Sequence, residues 1–159
     1  MKTFKDTSGR EWTLAITIDA VKRIRDLLKI DLLDLFGGEP PLLTRLDTDV
    51  ILLCDTIFVA LKPQADTAGV SSEQFGAALG GDAIIAARDA FMEALSDFFQ
   101  SLRRPEVVKA ISKQTELVTA AVKLAGERIE NLDVPTMLSQ TFGDPSSSWQ
   151  GSSGSTPGR

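Results

Sequence analysis

Apolar and polar positions alternate near the N-terminus of the chain. Phe4 stands before the turn-forming run Asp6-Thr7-Ser8-Gly9, and Trp12, Leu14 and Ile16 follow it at every second position. Glycine at the end of such a run readily adopts positive φ, as a tight turn requires. The pattern therefore predicts a two-stranded β-hairpin.

After the hairpin, the apolar positions recur at helical spacing. This spacing predicts a first helix over 18–29, capped by Thr17, and a helical turn over 31–36 that ends at the glycines and prolines after it. A long apolar stretch over 41–62 predicts a buried helix that breaks near Thr48.

The middle of the chain is expected to form two more helices. Pro63 is expected to end the preceding helix, and residues 64–70 are polar and are expected to form a loop. A short helix begins at Ser71 or at the serine after it, because serine is a good N-cap. The next helix, over 82–102, has a wide apolar face that is typical of a core helix.

The last predicted helix, over 105–132, has the most regular pattern in the chain. Its apolar positions follow alternating spacings of three and four residues, which is a heptad repeat. We interpret this seam either as packing within its own domain or as pairing with another copy or another helical protein. The seam consists of Val108, Ile111, Thr115, Val118, Val122, Ala125, Ile129 and Leu132.

These patterns together predict a mainly α-helical fold of five or six helices with an N-terminal hairpin at 1–17. One helical domain, including the hairpin, is expected to span 1–142. In the segment 143–159, 13 of the 17 residues are Gly, Ser, Thr or Pro, and almost nothing is available to bury. We therefore expect a disordered, flexible C-terminal tail.

Composition narrows the functional classes. The chain has no histidine, so it lacks the commonest zinc ligand and the usual general base near neutral pH. Asp47, Asp49 and Asp55 lack the spacing of a calcium loop, and Asp82 stands where a phosphate-binding loop has lysine. We expect no enzymatic activity, no metal and no cofactor.

Charge and targeting signals also bear on partners and location. The net charge of −5 argues against a duplex nucleic-acid partner, which requires a broad basic face. The single Cys54 cannot form an internal disulfide, and no apolar run reaches the length of a signal segment or a membrane span. These observations predict a cytoplasmic protein without a membrane partner.

The first helix is basic on its outer side. Lys22, Arg23 and Arg25 give it this character, and Asp19 and Asp26 lie close in sequence. The basic residues form either a solvated face paired with these acids or a docking surface for an acidic partner.

The N-terminal residues resemble those of a phage protein family. Over roughly residues 2–35 the sequence is similar to tail assembly chaperones of long-tailed phages and prophages, which are encoded near the tape-measure gene. The resemblance rests on Asp6-x-x-Gly9-Arg10-x-Trp12-x-Leu14-x-Ile16-Thr17, followed by Ala20-x-Lys22-Arg23-Ile24-Arg25.

The resemblance implies a non-enzymatic protein that coats the helical tape-measure protein before the tail tube polymerises, and that is absent from the finished virion. It implies the tape-measure protein as client, the tail tube protein as a further partner, and a homo-oligomer in the host cytoplasm. The alternative is a self-assembling helical module, structural or regulatory, without a client. The residues expected to bind partners are Lys22, Arg23, Arg25, Val108, Ile111, Val118, Val122 and Ile129.

Overall fold

The computed structural model describes residues 1–130, with side chains to residue 128. The described residues form an antiparallel hairpin and seven helices, which confirms the predicted mainly α fold. The predicted domain end at 142 and the predicted tail over 143–159 lie outside the described residues. The elements are β1 Lys2–Lys5, β2 Glu11–Leu14, α1 Ile18–Leu28, α2 Leu42–Thr48, α3 Val50–Ala60, α4 Lys62–Ala68, α5 Ser72–Ala77, α6 Asp82–Ser101 and α7 Pro105–Glu130.

The hairpin has the predicted alternation. Phe4 pairs with Trp12 and Lys2 with Leu14, so the buried side chains of both strands lie on one face of the ribbon. That face packs mainly on α6, through β1. The hairpin therefore covers part of the helical core. This packing stabilises it, since a two-stranded ribbon is not stable on its own.

The region of residues 31–41 differs from the prediction. Residues 31–36 form successive turns instead of a helical turn: the Asp34 amide donates to the Asp31 carbonyl, and the Asp31 side chain accepts from Leu33 N. Leu32 and Leu35 are buried in this irregular segment. Apolar spacing alone does not distinguish a helical turn from turns that bury the same side chains.

The predicted break in the apolar stretch is confirmed. α2 ends at Thr48, and Asp49 has an extended backbone with φ −104°. The Asp49 carboxylate accepts a hydrogen bond from the Leu52 amide and so caps α3. An aspartate at this position satisfies an amide that the helix itself leaves unpaired.

The loop predicted over 64–70 is wrong, because α4 covers most of it. Pro63 lies in the first turn of α4, where its missing amide hydrogen costs nothing. The helix ends at Gly69, whose φ of +67° suits glycine. This helix, together with the break at Asp49, brings the helix count among residues 1–130 to seven.

The core of residues 1–118, one of two compact units, is built around α6. α1 packs on α3, and α6 contributes fully buried side chains such as Phe91, Leu95 and Phe99. Val107 and Ile111 of α7 join this core. The second unit begins at Thr119, and its described residues are the end of α7.

Candidate functional site

The hairpin turn and Trp12 form a hydrogen-bond network around the Asp6 carboxylate. The buried Asp6 carboxylate accepts from the amides of Ser8 and Arg10, at 2.9 and 3.0 Å, and from the Trp12 indole N–H at 2.9 Å. Burial acts to raise the pKa of Asp6, but the hydrogen bonds from Ser8, Trp12 and the Arg10 backbone prevail and lower it. Asp6 is therefore ionised in the fold, and its carboxylate links the turn to the indole.

The same motif attaches the hairpin to α5. The Trp12 ring packs edge-on against Phe75, with centroids 5.3 Å apart, and the Thr7 amide donates to the Ala78 carbonyl at 2.9 Å. The Arg10 guanidinium lies over the Trp12 ring at 5.7 Å. These side chains and amides contact other parts of the same domain, so their role is structural.

Arg23 is one of the residues expected to bind a partner, but its guanidinium forms hydrogen bonds and an ion pair within the domain. Its Nε donates to the Val59 carbonyl at 3.0 Å and its Nη2 to the Ala60 carbonyl at 3.2 Å, while Nη1 pairs with Asp19. Val59 and Ala60 are the last residues of α3, so Arg23 adds donors to carbonyls at the helix end, where the Leu61 amide also donates to the Val59 carbonyl.

The other two basic residues of α1 are exposed and differ in their partners. Arg25 donates to the Asp31 carboxylate at 2.7 Å, and this hydrogen bond is the main cause that lowers the pKa of Asp31. Lys22 forms no hydrogen bond or ion pair with any described residue. The outer side of α1 therefore presents one unpaired cation among the three residues expected to bind there.

Asp47 and Arg88 form a buried ion pair that the sequence pattern does not indicate. Arg88 Nε and Nη2 both donate to Asp47 Oδ1, at 3.0 and 2.6 Å, and the two side chains are only 1% and 14% exposed. Asp47 Oδ2 is buried and has no hydrogen-bond partner among the described residues. The pair links α2 to α6, and its members lie 41 positions apart in the sequence, so no local pattern indicates it.

The predicted seam of α7 divides into a buried and an exposed half. Ile111 is 2% exposed and Val108 is half-buried, whereas Val118 is half-buried and Val122 is 68% exposed. Val107, which precedes the first seam position, is also buried. The remaining residue expected to bind a partner, Ile129, has a side chain outside the described residues.

The exposed half of α7 carries a continuous apolar face. From residue 112 to residue 128 no side chain is buried. At 100° per residue, the apolar side chains in the middle of this segment cover an arc of about 160°. We call this face the α7 stripe, and it consists of Leu117, Val118, Ala121, Val122, Leu124 and Ala125.

The positions beside the seam in this half of α7 carry little charge. Between residues 114 and 128, four of the heptad positions that flank the seam are uncharged, namely Gln114, Thr119, Ala121 and Gly126, and the fifth, Arg128, is basic. Lys123 and Glu127 lie on the opposite face of the helix. The α7 stripe therefore offers mainly apolar contact, with Arg128 as the one charged flanking residue between positions 114 and 128.

An open groove of ≈ 530 Å³ lies between β2 and α4, lined in part by Trp12, Pro63 and Thr67. The Gln64 amide spans the edge of β2 there: it accepts from Thr13 N at 3.1 Å and donates to the Thr13 carbonyl. In this way one side chain satisfies edge groups that would otherwise pair with another strand.

Two kinds of chemical site, a metal site and a reactive thiol, were considered for residues 1–130. Within it, no three His, Cys, Asp or Glu side chains are grouped so that they could hold a metal ion. Burial, and to a smaller extent the Asp55 carboxylate, raises the pKa of the Cys54 thiol, which therefore stays protonated near neutral pH.

Comparison with known proteins adds no relative: no family model, no curated protein and no solved structure matches this chain. Among residues 1–130, no helix has both the length and the apolar character needed to cross a membrane.

Proposed function

We propose that this chain is a non-enzymatic phage tail assembly chaperone that binds and solubilises the helical tape-measure protein during tail morphogenesis. The α7 stripe is the observation that carries the proposal. It is an exposed apolar helix face, and in the described part of the chain nothing covers it. Surfaces of this kind are typical of interaction sites.

A helical client suits the geometry of the α7 stripe. An amphipathic helix binds another helix through apolar side chains spaced three and four residues apart, and the stripe has this spacing. A tape-measure protein, as implied by the family resemblance, is a long amphipathic helix that aggregates when its apolar face is bare. Covering that face with the stripe keeps the client soluble.

The structure favours α7 over α1 as the client-binding element. Arg23 is committed to helix-end carbonyls and Arg25 to Asp31, so α1 retains little charge for an acidic partner. Because four of the five flanking heptad positions between residues 114 and 128 are uncharged, the proposed client binding depends mainly on apolar contact. Its affinity should change little with salt concentration, whereas an ionic interface weakens as salt rises.

On this proposal the chain acts in the host cytoplasm and leaves before the virion is complete. Release of the client then coincides with polymerisation of the tail tube, which makes the tail tube protein the second partner. The same heptad seam also supports a second candidate, a self-assembling helical module without a client. A tape-measure reading frame next to this gene would favour the chaperone.

The test is co-expression of the full chain with the neighbouring tape-measure protein. We expect the client to become soluble and to co-purify with several copies of this chain. Val122→Glu should abolish this effect, because it places a charge in the α7 stripe. The matched control is Lys123→Glu, which places a carboxylate on the opposite, polar face of the helix and should keep the client soluble.

Two results would contradict the proposal. One is a client that remains insoluble with the wild-type chain, or that is equally soluble without it. The other is equal loss of solubilisation in the Val122 and Lys123 variants, since that outcome would place the client elsewhere.

A further inference from the structure

We propose that the outer edge of β2 binds an extended, acidic segment of a partner protein as a third strand of the hairpin sheet. The site is the groove between β2 and α4, whose lining residues all lie between positions 10 and 68. It shares no residue with the α7 stripe, so the inference goes beyond the proposed function and does not depend on it.

The backbone of β2 leaves hydrogen-bonding groups free at its outer edge. The Asp6 amide donates to the Arg10 carbonyl at 3.0 Å, so Arg10 faces β1. In an antiparallel pair, successive residues direct their backbone groups alternately towards the partner strand and away from it. Glu11 and Thr13 therefore direct theirs away from β1. The Glu11 N–H and C=O have no hydrogen-bond partner in the described part of the chain.

The Gln64 side chain shows what kind of group this edge accepts. Its amide accepts a hydrogen bond from Thr13 N at 3.1 Å and donates one to the Thr13 carbonyl. A side-chain amide has the same donor and acceptor as a peptide group. Gln64 therefore occupies the place of one residue of a neighbouring strand. A partner segment would displace Gln64 from Thr13 and would also gain the free backbone groups of Glu11.

The groove beside this edge has room for such a segment. An added strand lies about 4.8 Å from its neighbour, in the space that the Gln64 side chain crosses. The groove is open and has a volume of ≈ 530 Å³. Its α4 side is formed by the exposed residues Pro63, Gln64, Thr67 and Ala68. No backbone movement is needed to admit a strand, since only the exposed Gln64 side chain must turn away.

Arg10 gives the groove a preference for an acidic partner. Its guanidinium lies 5.7 Å from the centroid of the Trp12 ring and forms no ion pair with any described residue. Glu11 also lines the groove, but strand alternation directs its side chain to the other face of the ribbon, where it lies opposite Lys5. A carboxylate beside Arg10 in the added strand therefore forms a favourable cross-strand pair.

The experiment is an NMR titration of the full chain with two synthetic peptides of about eight residues, a usual strand length. Both peptides have blocked ends and alternate threonine with valine, and their one charged residue, at the centre, is aspartate in the first and lysine in the second. The aspartate peptide should shift the Glu11 amide signal and slow its hydrogen exchange. The Trp12 amide, which faces β1, should change little. The lysine peptide should bind about two- to fivefold more weakly.

Two pairs of variants test the assignment of Gln64 and Arg10. Gln64→Ala should bind the aspartate peptide about two- to tenfold more tightly, because the peptide no longer competes for Thr13. Thr67→Ala, its control in the same groove, should bind as the wild type does. Arg10→Gln should bind both peptides equally, whereas Lys5→Gln, which removes a cation from the other strand, should keep the preference for aspartate. Far-UV circular dichroism checks that all variants keep their fold.

Three outcomes would overturn the inference. The first is that neither peptide shifts the Glu11 amide signal, in the wild-type chain or in Gln64→Ala. The second is weaker binding in Gln64→Ala than in the wild type, and the third is equal affinity of the wild-type chain for the two peptides. The proposed function is tested separately by client solubility, so either proposal can fail while the other stands.

Discussion

At the scale of single residues, Asp6 is the most connected polar side chain of the hairpin. It is buried, and its carboxylate accepts hydrogen bonds from Ser8, Arg10 and Trp12. These contacts hold the hairpin turn and position the indole, so Asp6 has a structural role in the fold.

Asp6→Ala should lower the free energy of unfolding by about 2–3 kcal/mol, because it leaves buried N–H donors without an acceptor. Ser8→Ala, the control, removes a single donor to the same carboxylate and should cost less than about 1 kcal/mol. Urea denaturation measures both values. Equal effects of the two substitutions would show that the network does not depend on the carboxylate.

Asp6 also makes stability depend on pH. Its pKa is lowered in the folded state, so the ionised carboxylate stabilises the fold above the usual aspartate pKa, and this contribution is lost as pH falls through the folded-state value. Asp6→Asn should flatten the loss of stability below about pH 4. Urea midpoints measured along an acid series test this; parallel curves for the two proteins would refute it.

Arg23 and Lys22 are neighbouring basic residues with different surroundings. Arg23→Met should lower the free energy of unfolding by about 1–2 kcal/mol, because the last carbonyls of α3 lose two charge-assisted hydrogen bonds. Water screens these hydrogen bonds only partly. Lys22→Met should change stability by less than about 0.5 kcal/mol, since Lys22 is exposed. Chemical denaturation compares the two, and a Lys22 effect as large as that of Arg23 would contradict this assignment.

At the scale of elements, α7 carries one heptad pattern in two environments. Its first turns contribute Val107 and Ile111 to the core, while its later turns expose the α7 stripe. Periodicity reports which side chains share a face of a helix. It does not report where the neighbouring elements end.

Ile111→Ala should therefore lower the free energy of unfolding by about 2–4 kcal/mol, the usual cost of truncating a buried aliphatic side chain. Val122→Ala should cost less than about 0.5 kcal/mol when measured at low protein concentration, where self-pairing does not contribute. Thermal or urea unfolding distinguishes them. Similar costs at both positions would mean that the whole seam is buried.

At the scale of the whole molecule, the two compact units should differ in local stability. α6 is buried along most of its length, whereas the described side chains from residue 119 to residue 128 are all exposed. Amides in elements with few buried contacts open at low free-energy cost. In dilute solution, hydrogen exchange over 119–128 should be faster than in α6; equal protection would contradict the assignment of α7.

Much of the fold could be predicted because its signals are local. The strand alternation around Asp6, the cap at Thr17, the break before α3 and the capping box of Ser71 all depend on residues close in sequence. The α4 segment was misassigned because its polar residues and Pro63 resemble a loop, although proline fits the first turn of a helix. Apolar spacing also could not distinguish the turns at 31–36 from a helical turn.

The candidate site was only partly predictable, for a different reason. Charge in the sequence marked Arg23 and Arg25 as available, but folding gave both of them internal partners. The ion pair of Arg88 with Asp47 joins residues that are distant in sequence. Pairings of this kind depend on which helices become neighbours, so no local pattern encodes them.

By itself, the sequence determined the hairpin, most of the helices and the apolar face of α7, because each follows from dihedral preferences and the periodicity of neighbouring residues. Only the tertiary structure decided which part of that face is available to a partner. The core formed around α6 covers Val107 and Ile111 and leaves Val122 in solvent. Burial depends on contacts between distant segments. The spacing of apolar residues along α7 is the same in the part that the core covers and in the part that it leaves exposed.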